Sequence, residues 1–203
     1  MLGAIGDPAA FAAAADHLAA GRAVVVPTDT VYGLAVLAAV PGASDAVFAI
    51  KGRPADVPLA VLVDSFAQAE SLVESPSAEV ARVLERLWPG PLTVVLRRRE
   101  GTGLELGGDG TTIGVRCPDH ALVRALARRL GPLAVTSANL HGEPTPVDAA
   151  TVAAVLGERV AYVVDGGRCD GTASTVVDGT TDELRVLRAG PISEEHIALA
   201  ALP

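Results

Sequence analysis

The side chains that could do chemistry in this sequence are mostly cations and hydroxyl groups, and they fall at the ends of predicted strands. The first example follows the run Val24–Val26, whose β-branched residues predict a short buried strand. Pro27 ends that strand because proline has no N–H group to donate to a sheet. The loop over residues 28–34 is rich in hydroxyl groups, and such loops carry the sites of open α/β sheets. An ordinary turn would explain Thr28–Thr30 equally well.

Further residues of this type follow other predicted elements, and together they predict one kind of site. Cations and hydroxyl groups without an activated nucleophile suit the binding of a polyphosphate and a small carboxylate, with charge stabilised electrostatically. The set consists of Thr30, Lys51, Arg53, Arg116, Ser137, Asn139, Ser174 and Arg188.

Lys51 is the only lysine among 16 basic residues. It precedes Gly52, which suits a helix end, and Arg53 follows on a turn that Pro54 stiffens. Two cations on such a turn would suit a polyphosphate, whereas a basic helix end would only complement the helix dipole. The single lysine indicates either chance or a position that needs a compact ammonium group.

Other kinds of site are disfavoured because their motifs are missing from the sequence. There is no Gly-x-x-x-x-Gly-Lys-[Ser/Thr] for a P-loop, and no Gly-x-Gly-x-x-Gly follows a predicted strand. Cys117 and Cys169 lack zinc-ligand spacing, so we expect free thiols in a reducing cytosol and no protein-bound metal. Capping or surface positions are expected for the histidines, which are His17, His120, His141 and His196.

Composition predicts one globular domain over residues 1–203 in the cytoplasm. The sequence is 50% hydrophobic and 3% aromatic, so we expect an aliphatic core. No apolar run is long enough for a membrane span, and the N-terminus lacks the basic region of a signal peptide. The net charge of −8 argues against a chain that mainly grips nucleic acid, although Arg97–Arg99 could form a local RNA-binding patch.

Hydrophobic periodicity and turn residues predict a three-layer α/β domain, α+β in some schemes, with a mixed, twisted β-sheet flanked by helices. We expect about seven or eight short strands alternating with five or six helices. The Trp88–Thr93 segment, with two prolines around a glycine, predicts a rigid structural turn. The glycine-rich stretch Gly101–Gly110 suits either a mobile lid or a plain connector.

Nine segments, in order, resemble the motifs of the YrdC-like family, whose members make L-threonylcarbamoyl-adenylate. The likeness runs from Arg22 to Ile192. The matching segments are 27–34, 51–54, 58–59, 88–93, 114–119, 137–139, 165–167, 174–178 and 187–190.

The resemblance implies a nucleotidyltransferase that converts L-threonine, bicarbonate and ATP into threonylcarbamoyl-AMP and pyrophosphate for the t6A modification of tRNA. Mg²⁺ would be held mainly by the phosphates of ATP, and the product would pass to the tRNA threonylcarbamoyl-transferase complex. Matched by motif, threonine would contact Thr30, Arg116, the backbone near Val135, and Ser174. ATP would contact Lys51, Arg53, Thr112, Ser137, Thr145 and Arg188. The polar tetrad of the family would be Lys51, Arg53, Ser137 and Asn139.

Three positions depart from the family pattern. Val57 replaces an asparagine that would contact ATP, Leu62 replaces a histidine that would contact threonine, and His141 replaces a common serine. Because the sequence ends at Pro203, we expect the short, single-domain form. Two alternatives remain open: a YrdC-like module that binds RNA or ribosomal precursor without chemistry, and a carbamoyl-adenylate-forming module with a different acceptor.

Overall fold

The computed structural model describes residues 1–181 and 183–203, and within them ten strands form one mixed sheet. The spatial order of the strands differs from their order in the chain. In chain order they are β1 (Leu2–Ala4), β2 (Val24–Val26), β3 (Gly33–Leu37), β4 (Ala60–Leu62), β5 (Leu92–Arg97), β6 (Thr112–Arg116), β7 (Leu133–Ser137), β8 (Tyr162–Asp165), β9 (Thr175–Asp178) and β10 (Arg185–Arg188). Across the sheet the order is β1-β8-β2-β3-β7-β4-β6-β5-β9-β10.

Seven α-helices are present in the part of the chain that the structure describes. They are α1 (Pro8–Ala19), α2 (Ala43–Lys51), α3 (Phe66–Glu70), α4 (Ala78–Leu87), α5 (Ala121–Leu130), α6 (Ala149–Leu156) and α7 (Glu194–Ala201). Asp7, Ser65 and Ser77 cap three of them by accepting a main-chain N–H through a side-chain oxygen. None of these helices combines the length and apolar character that crossing a bilayer requires.

The sheet separates two hydrophobic core clusters, which confirms the predicted three-layer architecture. One cluster joins the sheet to residues of α2, α4, α6 and α7, and the other joins it to α1 and α5. Adjacent strand residues divide between them because side chains alternate across a sheet: Val61 belongs to the first cluster and Leu62 to the second.

The face that carries α1 and α5 is only partly covered by its core cluster. The strand residues of that cluster come from β2, β3, β4, β7 and β8, and its described members include none from β5, β6 or β9. There, the alternation places Thr93, Gly114 and Arg116 on this face, since Val94, Ile113 and Val115 pack into the opposite cluster.

The described residues form ten strands and seven α-helices, more than the seven or eight strands and five or six helices predicted, and two local features also differ from expectation. The N-terminal strand β1 was not predicted, because three residues with mostly exposed side chains carry no readable alternation, and pairing with β8 creates the strand. Helix α2 begins directly after Gly42, and Ser44, a residue type that favours N-cap positions, is buried inside the helix instead.

The glycine-rich stretch 101–110 is fastened to its surroundings, which favours the connector interpretation over the lid. The Leu106 carbonyl accepts from the Leu59 N–H at 2.8 Å, and the Gly108 N–H donates to the Ala55 carbonyl at 2.9 Å. Both Leu104 and Leu106 are buried. Because the main chain and apolar side chains are both engaged, this segment has little freedom to move independently.

Candidate active site

The guanidinium of Arg116, at the end of β6, organises the first part of the site and is buried. It donates from Nη2 to Asp29 Oδ1 at 2.6 Å and from Nη1 to Thr30 Oγ1 at 3.0 Å. It also donates from Nε to the Gly90 carbonyl at 3.0 Å. These bonds use three of its five N–H groups, so the charged fork keeps donors for a ligand.

Asp29 fixes the direction of that fork. Burial lowers the pKa of Arg116, whereas the charge of Asp29 and its hydrogen bond raise it. Arginine stays protonated in such a setting, so the pair is ionic and directional. The second carboxylate oxygen, Asp29 Oδ2, is buried without a hydrogen-bond partner among the described residues.

A second group joins Arg188 on β10 to Ser174, which immediately precedes β9. Arg188 lies at the exposed rim and donates to the Ser174 carbonyl from both Nε, at 3.1 Å, and Nη2, at 2.7 Å. Its Nη2 also approaches Ser174 Oγ at 3.2 Å. On the other side, Ser174 Oγ lies 2.8 Å from the hydroxyl of Thr93, and both Ser174 and Thr93 are buried.

The third group surrounds the ammonium of Lys51, which is the last residue of α2 and is 4% exposed. Its Nζ donates to the carbonyl of Ser137 at 2.5 Å, the carbonyl of Asn139 at 2.6 Å and Asn139 Oδ1 at 3.0 Å. All three ammonium protons therefore have acceptors in the loop that leaves β7. In this structure the Lys51 ammonium donates its protons to that loop. This arrangement differs from the predicted one, in which the ammonium would face a ligand.

The same loop is secured by its own side chains. Ser137 Oγ donates to Asn139 Oδ1 at 2.5 Å, and Asn139 Nδ2 donates to the carbonyls of Leu140 and Glu143 at 2.9 and 2.5 Å. The N–H of His141 donates to the Lys51 carbonyl at 2.9 Å, so loop and helix end bind each other in both directions. The half-buried Ser137 stands on the same sheet face as Val135, two residues before it.

Positive charges converge on these groups although the sequence carries a net charge of −8. Burial, and to a smaller extent the positive charge of Arg53, lower the pKa of Lys51 to about 8. Partial burial and the charges of Arg116 and Arg53 lower the pKa of Arg188. Arg53 thus influences both Lys51 and Arg188, and Arg116 influences Arg188, so these cations form one electropositive region suited to an anion.

Arg53 reaches a different loop from Lys51 despite their closeness in sequence. Its Nε donates to the Val57 carbonyl at 3.1 Å and its Nη2 to the Pro58 carbonyl at 3.1 Å. Burial lowers the pKa of Arg53, but the geometry leaves part of its fork unused by these bonds. Arg53 thus organises the segment that leads into β4 and keeps charge and donors for a ligand.

The remaining predicted residues make fewer contacts. Thr112 and Arg116 stand on one face of β6, about 13 Å apart at the rise of an extended strand. Val135 pairs with Ala60 across β7 and β4, and a side chain at Gly33 would collide with its Cγ1 at 2.9 Å. Thr145 is half-buried in the loop before α6, and no hydrogen bond of its side chain ties it to the three groups among the described residues.

The positions that depart from the family pattern lie in different settings. Leu62 is 3% exposed and packs in the core cluster with Val123 and Leu126 of α5. The side chains of Val57 and His141, by contrast, are exposed. The apolar residue at position 62 therefore has a packing role.

Sequence reasoning missed three contributors: Asp29, Gly90 and Thr93. The last two belong to the turn that was predicted to be purely structural, yet Gly90 accepts from Arg116 and Thr93 contacts Ser174. Gly90 has no room for a side chain, since a Cβ would lie 2.6 Å from the Leu87 carbonyl oxygen. A hydroxyl residue at the start of a predicted strand, directly after a rigid turn, is the sequence feature that could have drawn attention to Thr93.

Comparison with known proteins identifies a family. The model of the Sua5/YciO/YrdC family, described as telomere recombination, matches residues 16–190. A protein of Mycobacterium tuberculosis strain H37Rv is 42% identical over 180 residues, which cover 88% of this chain and 83% of that protein. The threonylcarbamoyl-AMP synthase of Bacillus subtilis strain 168 is 41% identical over 197 residues, or 92% of this chain and 55% of that enzyme.

A solved structure supports the same family through its fold. Sua5 of Pyrococcus abyssi, complexed with L-threonine, superposes with a TM-score of 0.88 at 34% identity. The match covers 98% of this chain and 60% of that one, so the relative is considerably longer. The motifs, the fold and the extent of these matches show that this chain belongs to the Sua5/YciO/YrdC family.

Proposed function

We propose that this protein is an L-threonylcarbamoyladenylate synthase, a nucleotidyltransferase that makes threonylcarbamoyl-AMP and pyrophosphate from L-threonine, bicarbonate and ATP. The observation that carries the proposal is the gathering of Lys51, Arg53, Arg116 and Arg188 around hydroxyl groups in a chain of net charge −8. The names of the relatives point to the same reaction.

Two neighbouring subsites divide the substrates. In the threonine subsite the free donors of Arg116 suit a bidentate carboxylate, with Thr30, Ser174 and the backbone near Val135 around it. The ATP subsite extends along the same face and out to the rim. It comprises Lys51, Arg53, Thr112, Ser137, Thr145 and Arg188.

Catalysis in this proposal rests on placement and charge. Bicarbonate takes up a proton and loses water to give carbon dioxide, which the neutral amine of threonine attacks to form a carbamate, with one proton released to solvent. The carbamate oxygen then attacks the α-phosphorus while the bond to pyrophosphate breaks. Arg53 and Ser137 meet the negative charge that develops on the phosphates. Asn139 and Lys51 keep the Ser137 loop in place, so Lys51 acts here as a positioning residue that also contributes its charge.

Mg²⁺ would supply charge neutralisation on the phosphates when ATP is bound. The donor set fits this arrangement, because the polar groups of the electropositive region are cations, hydroxyls and an amide. Asp29, the carboxylate beside them, already pairs with Arg116. In this proposal the metal therefore enters with ATP and is held mainly by phosphate oxygens.

The proposed setting is the cytoplasm, with residues 1–203 acting as one domain. The mixed anhydride product is labile, so it would pass directly to the tRNA threonylcarbamoyl-transferase complex. We expect direct tRNA binding to be weak or absent, because Arg97 donates to the Thr180 carbonyl and Arg99 to the Glu70 carbonyl, so these guanidinium groups are partly engaged.

One alternative keeps a specific observation in its favour. Leu62 departs from the histidine that the family resemblance implies as a threonine contact, which leaves room for a different acceptor of the carbamoyl-adenylate chemistry. The RNA-module alternative is less favoured because of the acidic charge and the engaged arginine run.

The decisive experiment measures pyrophosphate released from ATP with bicarbonate, with and without L-threonine. We expect release that depends on threonine and on bicarbonate. Equal release with L-serine or L-alanine at the same concentrations would favour a different acceptor. Absence of release with any amino acid, from folded protein, would refute the proposed activity.

A further inference from the structure

The hydroxyl of Thr93 is a buried polar group that the mechanism above does not use. It is 5% exposed, and its described side-chain partner is Ser174 Oγ at 2.8 Å. Thr93 lies in β5 and Ser174 immediately precedes β9; these strands pair in parallel, so the contact depends on the register between them. A polar group buried in this way normally persists because its bond serves the fold or the site.

The number of donors and acceptors on the Ser174 hydroxyl decides which residue donates in this bond. The Ser174 hydroxyl has one hydrogen and two lone pairs. Arg188 Nη2 already donates to this oxygen at 3.2 Å. If Ser174 donated its one hydrogen to Thr93, it would have no hydrogen left to donate to a ligand. If Thr93 donates instead, Ser174 accepts twice and its own hydrogen stays available to a substrate.

We infer that Thr93 is a positioning residue for threonine, because it donates to Ser174 Oγ and so turns the Ser174 hydrogen toward the substrate carboxylate. The inference rests on the proposed function. The turn before Thr93 acts in the same sense, since the Gly90 carbonyl accepts from Arg116 Nε at 3.0 Å. One rigid segment thus orients both donors of the threonine subsite.

The test is steady-state pyrophosphate release by Thr93→Val, which removes the hydroxyl and keeps the branched shape. Without the Thr93 donor the Ser174 hydroxyl loses its orientation, and weakening of its hydrogen bond to the charged carboxylate predicts an increase in the threonine KM of about tenfold. The kcat and the KM for ATP should change by less than about twofold. The contact to the threonine carboxylate is weakened equally in the ground state and in the transition state, so the loss appears in the threonine KM alone. Thr93→Ser, which restores a hydroxyl, should recover wild-type KM.

Thr175 provides a matched control on the neighbouring strand. It is fully buried, its hydroxyl donates to the Ile192 carbonyl at 2.8 Å, and it accepts from the Ile192 N–H at 2.9 Å. Thr175→Val therefore removes an equally buried hydroxyl that serves only the main chain. It should lower the melting temperature without a selective rise in the threonine KM.

Binding and turnover together separate the possible outcomes. L-threonine should raise the melting temperature of wild type and Thr93→Ser more than that of Thr93→Val. If Thr93→Val does not fold, Thr93→Ala is compared in its place. An active wild type with an unchanged threonine KM in the variant, equal rises in both KM values, or failure of Thr93→Ser to recover would overturn the role of Thr93. A wild type without threonine-dependent release would instead refute the proposed function.

Discussion

Lys51→Met tests most directly how the candidate active site is held together. Methionine is unbranched and of similar length, so it fills most of the space while it removes the ammonium. The lost bonds are those to the Ser137 carbonyl at 2.5 Å, the Asn139 carbonyl at 2.6 Å and Asn139 Oδ1 at 3.0 Å.

The magnitude follows from which oxygens are left without this donor. An unpaired buried carbonyl costs about 1–3 kcal/mol, and two main-chain carbonyls lose the ammonium. Asn139 Oδ1 still accepts from Ser137 Oγ at 2.5 Å. Part of the cost is offset because burying an ammonium is unfavourable, which is also why burial lowers the pKa of Lys51 to about 8. We expect a net loss of about 2–3 kcal/mol, or about 4–12 °C in melting temperature.

Thermal unfolding and pyrophosphate release, measured side by side, check this expectation. Turnover of Lys51→Met should fall at least about tenfold, because Ser137 loses its fixed position. Lys51→Arg should recover little, since a planar fork cannot direct three protons onto these converging oxygens. Arg168→Met is the control: this cation is exposed, pairs with exposed Asp170 and should leave both quantities unchanged.

The reasoning would be refuted by a Lys51→Met protein that melts within about 1 °C of wild type. Near-normal turnover of Lys51→Arg would show that any cation suffices at this helix end, so that the single lysine is an accident of composition. A stable but inactive Lys51→Met protein would instead return the ammonium to direct contact with the reacting groups.

Four further outcomes are expected. Between about pH 8 and 10.5 the free energy of unfolding of wild type should rise relative to Lys51→Met, because the unfolded chain keeps a proton that folded Lys51 has lost; urea titrations showing a constant difference would contradict this. Arg116→Lys should raise the threonine KM far more than the ATP KM, since a point charge cannot replace the fork, and equal rises would count against the assignment. Leu62→His should cost about 2–3 kcal/mol by placing a polar ring in the core against α5, and a urea midpoint equal to that of wild type would argue otherwise. Filter binding should find only weak, salt-sensitive affinity for tRNA, and submicromolar affinity at physiological salt would revive the RNA-module alternative.

Much of the fold could be predicted because its information is local. The β-branched run at 24–26 forms β2, the Asp7-Pro8 pair opens α1, and Gly52 ends α2 in a left-handed conformation with φ of 63°. Residues at strand ends were also recognisable as site candidates by type. Strand β1 escaped prediction because its strand character depends on pairing with β8, which lies far away in the chain.

The contacts that define the site were beyond local reasoning. Arg116 and Asp29 are 87 residues apart, Ser174 and Thr93 81 apart, and Lys51 and Asn139 88 apart. Their meeting depends on the order of ten strands and on the registers between them, which burial of both sheet faces selects together.

The sequence by itself determined which chemical groups are available, that they stand at strand ends, and that their family chemistry concerns an anion and a small carboxylate. Only the tertiary structure decided what each group does with its hydrogens. It directs the Lys51 protons to main-chain oxygens, pairs Asp29 with Arg116, and brings the Thr93 hydroxyl to Ser174. The physical reason is that residue type sets how many donors and acceptors a side chain has, while long-range packing in the folded chain sets which partners lie within 3 Å.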